Sequence, residues 1–103
     1  MQYEVLVSRV FQKKFHKLQK SIQNSIKISL KELEQDPFNS RTNCDIKLLK
    51  DTKPKKYRLR IGDYRVIYLV EQDKVKIIDL LKREVGYNRL ESVSYTHLTL
   101  PTN

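Results

Sequence analysis

The stretch Lys56-Tyr-Arg-Leu-Arg-Ile-Gly-Asp-Tyr-Arg-Val-Ile-Tyr-Leu-Val70 constrains the fold more than any other part of the chain. Two strand-like runs meet at Gly62-Asp63, which reads as the two-residue turn of an antiparallel hairpin, glycine supplying the positive φ that such turns demand. Side chains alternate along a strand, so Tyr57, Leu59 and Ile61 take one face and Arg58 and Arg60 the other. A two-residue turn sets Ile61 opposite Tyr64 and, moving outward, Arg60 opposite Arg65, Leu59 opposite Val66 and Arg58 opposite Ile67. Three guanidiniums then share one face, two of them directly cross-strand. Like charges so placed cost on the order of several tenths of a kcal/mol. An anion bound on that face, most simply a phosphate backbone, would offset the repulsion.

The flanking segments read as a small mixed domain. Tyr3 to Val7 is β-branched and apolar, the pattern of a short strand. Ser8 stands where a helix N-cap would, ahead of Phe11, Phe15, Leu18 and Ile22 at spacings of three and four, with Lys13, Lys14, Lys17 and Lys20 on the opposite side. A break at Ser21 or just before it separates this helix from a second, whose buried stripe is Ile22, Ile26, Leu30 and Leu33. Asp36-Pro37 ends the second helix, because the residue before proline avoids helical geometry. Two antiparallel helices with a very short turn, or one long bent helix, both satisfy the pattern. Residues 38–54 form a polar connection anchored by Ile46, Leu48 and Leu49. Beyond the hairpin, a turn at Gln72-Asp73 leads to a third strand from Val75 to Leu81.

At 103 residues, with nine aromatics, the chain fits one globular domain with a modest core. A net charge of +9 points to nucleic acid, a ribosome-like surface or an acidic protein as partner. The basic residues are spread over strands and turns, which argues against a membrane-surface helix. Cys44 is the single cysteine, so no internal disulfide forms, and it reads as inert in a reducing cytoplasm. No apolar run approaches a membrane span and no signal-peptide pattern opens the chain, so a cytoplasmic location is expected. Residues 92–103 (SVSYTHLTLPTN) carry no charge and break abruptly from the lysine-rich body. They resemble translated vector or adaptor sequence, so the expected domain is 1–91 and 92–103 an appended or disordered tail.

The chemistry available is basic. No carboxylate pair, metal-ligand spacing or glycine-rich phosphate loop is present in the sequence, and His16 stands alone on a lysine-rich helix. Asp79, inside the third strand, reads as the partner of a cross-strand Arg or Tyr. What remains is Arg58, Arg60, Arg65, Lys82, Arg83 and Tyr87, with Tyr87 four residues after Arg83, the spacing of one helical face. Arginine binds phosphate bidentately and stabilises charge that builds up in a phosphoryl transition state. A tyrosine beside guanidiniums has its phenolate stabilised and becomes a candidate proton acceptor. Such a face can promote attack of a ribose 2′-hydroxyl on the adjacent phosphate, or can be a docking surface without chemistry. Spacing alone does not separate the two.

The order strand, two helices, then YRLRIGDYRVIY and Leu81-Lys-Arg-Glu-Val-Gly-Tyr87 resembles the RelE/ParE toxins of prokaryotic toxin–antitoxin systems, over about residues 2–91. The resemblance implies an α+β fold, two N-terminal helices on a small, mostly antiparallel sheet of about four strands, similar to microbial ribonucleases. It implies a metal-independent endoribonuclease, with no cofactor, that enters the ribosomal A site and cleaves mRNA there. Its partners would be the ribosome, the message and an acidic, RelB-like antitoxin docking on the first-strand edge and the helical faces. Carried over, Arg65, Arg83 and Tyr87 are the catalytic set, while Arg58, Arg60 and Lys82 bind phosphate. The sequence departs from the RelE pattern at Arg58 and Arg60, where lysines are common, and at Lys82, where many members have histidine. A ParE-like toxin that inhibits DNA gyrase without cutting RNA, and a nuclease-dead binding module, are the alternatives.

Overall fold

The computed structural model describes residues 2–42, 44–49 and 53–82, together with the backbone of 95–98. In chain order the elements are β1 (Glu4–Ser8), α1 (Arg9–His16), α2 (Lys20–Gln35), β2 (Asp45–Leu48), β3 (Tyr57–Ile61), β4 (Tyr64–Glu71), β5 (Lys74–Lys82) and β6 (Tyr95–Leu98). Ser8 caps α1 as its position in the sequence implies. Its backbone is extended, and its Oγ accepts a hydrogen bond from the Phe11 N–H at 3.1 Å. The same hydroxyl donates to the Ile78 carbonyl, so one buried side chain starts α1 and ties it to β5.

The chain breaks between the helices at Lys17–Gln19, slightly earlier than Ser21 and close enough to keep the expected pair. Gln23 makes that corner tight: its amide donates to the carbonyls of Phe15 at 2.9 Å and Leu18 at 3.2 Å, and the Phe15 carbonyl also takes the Leu18 N–H at 3.1 Å. At the other end, Asp36 is extended and α2 stops ahead of Pro37. Arg41 then folds back and donates to the carbonyls of Glu32, Asp36 and Asn39 at 2.8, 3.1 and 2.7 Å, supplying the cation and the donors that a helix C-terminus favours.

The strands form one sheet in the order β2-β3-β4-β5-β1-β6. Neighbours are antiparallel except β1 and β5, which are parallel and joined by a long crossover that contains both helices and strands β2 to β4. Among the described residues, six strands exceed the expected four. One addition is β2, inside what reads as a polar connection; its Asp-Ile-Lys-Leu alternation is the strand signal, shortened to four residues. The other is β6: the backbone of Tyr95–Leu98 runs antiparallel beside β1, although its sequence shows no period connected to the body. As a result β1 has a neighbour on both sides, and the sheet edges are β2 and β6 instead of the first strand.

Both faces of the sheet hold buried apolar side chains. The helix-covered face contributes Val5, Val7, Leu59, Val66, Tyr68, Val75 and Ile77, packed against Phe11 and Phe15 of α1 and Ile26, Leu30 and Leu33 of α2. Burial of such side chains contributes roughly 1.5–3 kcal/mol each. A smaller cluster, Leu49, Ile67, Leu69 and Ile78 with Leu81 beside it, occupies the opposite face. It owes Ile78 to a bulge: Tyr68 pairs with Ile77 and Ile67 with Asp79, leaving Ile78 as the extra residue. Asp79 itself does not pair with a cross-strand Arg or Tyr. Its carboxylate takes Lys14 of α1 at 2.8 Å and the Leu80 N–H at 2.7 Å, so it ties β5 to a helix instead of to a neighbouring strand.

A candidate anion-binding face

The hairpin register agrees with the sequence at every pair: Ile61 with Tyr64, Arg60 with Arg65, Leu59 with Val66 and Arg58 with Ile67. Arg58, Arg60 and Arg65 therefore share the face turned away from the helices, in register with the smaller apolar cluster. Arg58 is opposite buried Ile67, and Arg65 is opposite Leu81. Guanidiniums bordering apolar side chains act in a poorer dielectric than bulk water, which strengthens their field toward an anion.

The three arginines are not equivalent. Arg60 is exposed. Arg65 is half-buried, and its Nη1 donates to the Gly62 and Tyr64 carbonyls at 3.0 and 3.1 Å, folding its guanidinium toward the turn. Arg58 is buried, and its Nη2 lies 3.1 Å from the carboxylate of Asp45 on β2. Asp45 carries no motif signal and is missed by sequence reasoning; only the register of β2 reveals it, directly across from Arg60. Charge repulsion among the arginines is thus relieved in part from within.

Lys82 is exposed at the end of β5 and stands across from Tyr64, in register with the helix-covered face and not with the arginines. Arg83 and Tyr87 lie outside the described residues. On the helix side, a cavity of about 320 Å³ opens between α2 and the hairpin turn, lined by Ser21, Ile22, Ser25, Ile61, Asp63 and Tyr64 with Gly62. Tyr68 can be discounted as a proton acceptor. It is fully buried, its hydroxyl donates to the Pro37 carbonyl at 2.7 Å, and burial pushes its phenol far above the ordinary value. Cys44 is equally withdrawn: it is 2% exposed, and desolvation raises its thiol, which suppresses the thiolate. His16 is exposed at the end of α1, edge-on to Phe15 at 5.9 Å.

A family model described as the ParE toxin of type II toxin–antitoxin systems, parDE, matches residues 5–87. The chain belongs to this family. Among solved structures, the toxin is similar to the chain in the archaeal RelE–RelB complex of Pyrococcus horikoshii, with 32% identity and a TM-score of 0.70 over 84% of this chain and 99% of that one. It is similar also to the RelB–RelE antitoxin–toxin complex of Methanococcus jannaschii, at 26% identity and a TM-score of 0.61, covering 75% of this chain and 88% of that one. The Staphylococcus aureus YoeB dimer shares the fold at 17% identity and a TM-score of 0.67, over 82% of this chain and 100% of that one. No curated protein matches the sequence. The helix pair, strands β2 to β5 and the arginine-bearing hairpin of the toxin fall inside the span matched by the family model, and β6 lies beyond it. Among its described residues, no helix is long and apolar enough to cross a membrane.

Proposed function

We propose that this ParE-family toxin is a metal-independent endoribonuclease that cleaves mRNA in the ribosomal A site and so inhibits translation. The observation that carries the reading is the cross-strand pair Arg60 and Arg65 beside Arg58, on the sheet face turned away from α1 and α2. Strands rarely oppose like charges without a counter-ion, and a phosphodiester is the counter-ion that matches guanidinium geometry. The 32% identity with a RelE chain, across nearly all of that chain, favours the RelE-type activity.

In this mechanism exposed Arg60 and turn-anchored Arg65 orient and neutralise the scissile phosphate. Arg58 adds charge from beneath, and Lys82 contributes field from the strand end. The ribose 2′-oxygen attacks the adjacent phosphorus as its proton passes to the Tyr87 phenolate. The bond to the 5′-oxygen breaks, leaving a 2′,3′-cyclic phosphate, Arg83 stabilises the charge on the phosphoryl group and the departing oxygen, and that oxygen takes up a proton from solvent. Arginine is a poor base, so arginines at 58 and 60 leave the proton to Tyr87.

The partner proposed for this toxin is an acidic antitoxin, since the chain carries +9 and two similar structures are toxin–antitoxin complexes. Ile28 of α2, 68% exposed, and Val10 of α1, 42% exposed, are apolar side chains on helical faces that such a partner would cover. A second reading, gyrase inhibition without RNA cleavage, is favoured by one observation: the matching family model is that of ParE.

Incubating the toxin with a message in a reconstituted translation system, with and without ribosomes, and separately with gyrase and relaxed plasmid, distinguishes the readings. Cleavage only when ribosomes are present, with supercoiling intact, is expected. An intact message together with blocked supercoiling would establish the gyrase reading instead.

A further inference from the structure

Asp45 lies on β2, directly across from Arg60, and its Oδ1 reaches diagonally to Arg58 Nη2 at 3.1 Å. The Asp45 side chain is 52% exposed and that of Arg58 only 9%. An acidic side chain therefore stands beside two of the three arginines that face away from the helices, at the solvent side of the more buried one. A carboxylate and a phosphate offer a guanidinium the same kind of paired oxygen acceptor, so both compete for the same donors.

Resting on the reading of this face as a phosphate site, we propose that Asp45 is an internal competitor that occupies Arg58 until a ligand displaces it, and so determines which polyanions the face accepts. An isolated phosphate must displace a tethered carboxylate for a single contact. A nucleic-acid strand first gains exposed Arg60 and neighbouring Arg65, and those contacts support the exchange at Arg58. Asp45 thereby discriminates against weak, non-specific anion binding, and a strand held in one register is favoured over a loosely bound one. Asp45 does not touch the reacting atoms in this scheme; its effect passes through Arg58.

The test is binding of a fluorescent single-stranded RNA oligonucleotide to the full chain, over a range of salt, for wild type, Asp45→Asn, Arg58→Gln, the double variant and Arg60→Gln. Asp45→Asn preserves side-chain size, and Asp45→Ser serves as a second variant should it fold poorly by thermal melting. Relief of the competitor is expected to tighten binding several-fold and steepen the plot of log K against log salt by roughly 0.7, the increment for one further phosphate contacted on a single strand. The gain should vanish in the Arg58→Gln background. A gain that survives there reflects net charge alone and would overturn the proposal, as would weaker or unchanged binding by Asp45→Asn. Arg60→Gln should weaken binding and flatten the slope; no change there would remove the phosphate-face reading itself, and the proposal with it.

Discussion

Arg60 of β3 and Arg65 of β4 face one another as cross-strand partners, next to a hairpin turn whose carbonyls hold Arg65. Two guanidiniums in that position oppose folding, so replacing one should separate stability from function. Arg60→Gln is expected to leave the protein equally stable or more stable by a few tenths of a kcal/mol, and to abolish growth inhibition. Urea unfolding beside a growth assay reads both; a large loss of stability would show that Arg60 supports the fold.

The turn depends on backbone geometry more than on space. Gly62 has φ +59°, and a Cβ placed there would meet nothing within 4 Å. Gly62→Ala should therefore cost about 1–2 kcal/mol through left-handed strain alone. Denaturant titration measures it, and a neutral effect would mean the turn relaxes to another conformation.

Ser8 joins a helix start to a strand with one hydroxyl. Ser8→Ala removes the cap of α1 and leaves the Ile78 carbonyl without that donor, for an expected loss of about 1–3 kcal/mol. A change below about 0.5 kcal/mol in urea unfolding would contradict this accounting.

Acid should act through Asp36. Its carboxylate accepts from the Asn39 side chain at 2.8 Å and from the N–H groups of Phe38 and Asn39 at 2.9 and 3.2 Å, which hold it below the ordinary value of 3.8. A carboxylate lowered in the folded state contributes stability that is present above its unfolded value and lost as pH falls through the folded one. The stability difference between wild type and Asp36→Ala should then shrink as pH falls through and below the ordinary value of 3.8. A difference that stays constant with pH would assign the turn's stability to the neutral form.

Much of this architecture is legible in the chain. The hairpin register follows from Gly62-Asp63 and period-two alternation, and the α2 end from Asp36-Pro37, because these signals are local. Asp45 and β2 are not legible in the same way. A four-residue strand between polar loops has little periodicity, and its meaning arises only from pairing with β3. The Asp79–Lys14 pair is hidden for another reason: it joins β5 to a helix 65 residues earlier in the chain, and no local pattern anticipates such a contact. Lys82 follows Leu81 by one position, enough to move it to the other face in register.

The most direct measurement is primer extension on a message held on programmed ribosomes, with wild type, Arg65→Ala and Tyr87→Phe compared at equal concentration. Cuts within the A-site codon by wild type, lost in both variants, are the expected result. A message left intact by a wild-type protein that still arrests growth would contradict the nuclease account, and cuts that persist in Tyr87→Phe would refute the role given to that tyrosine.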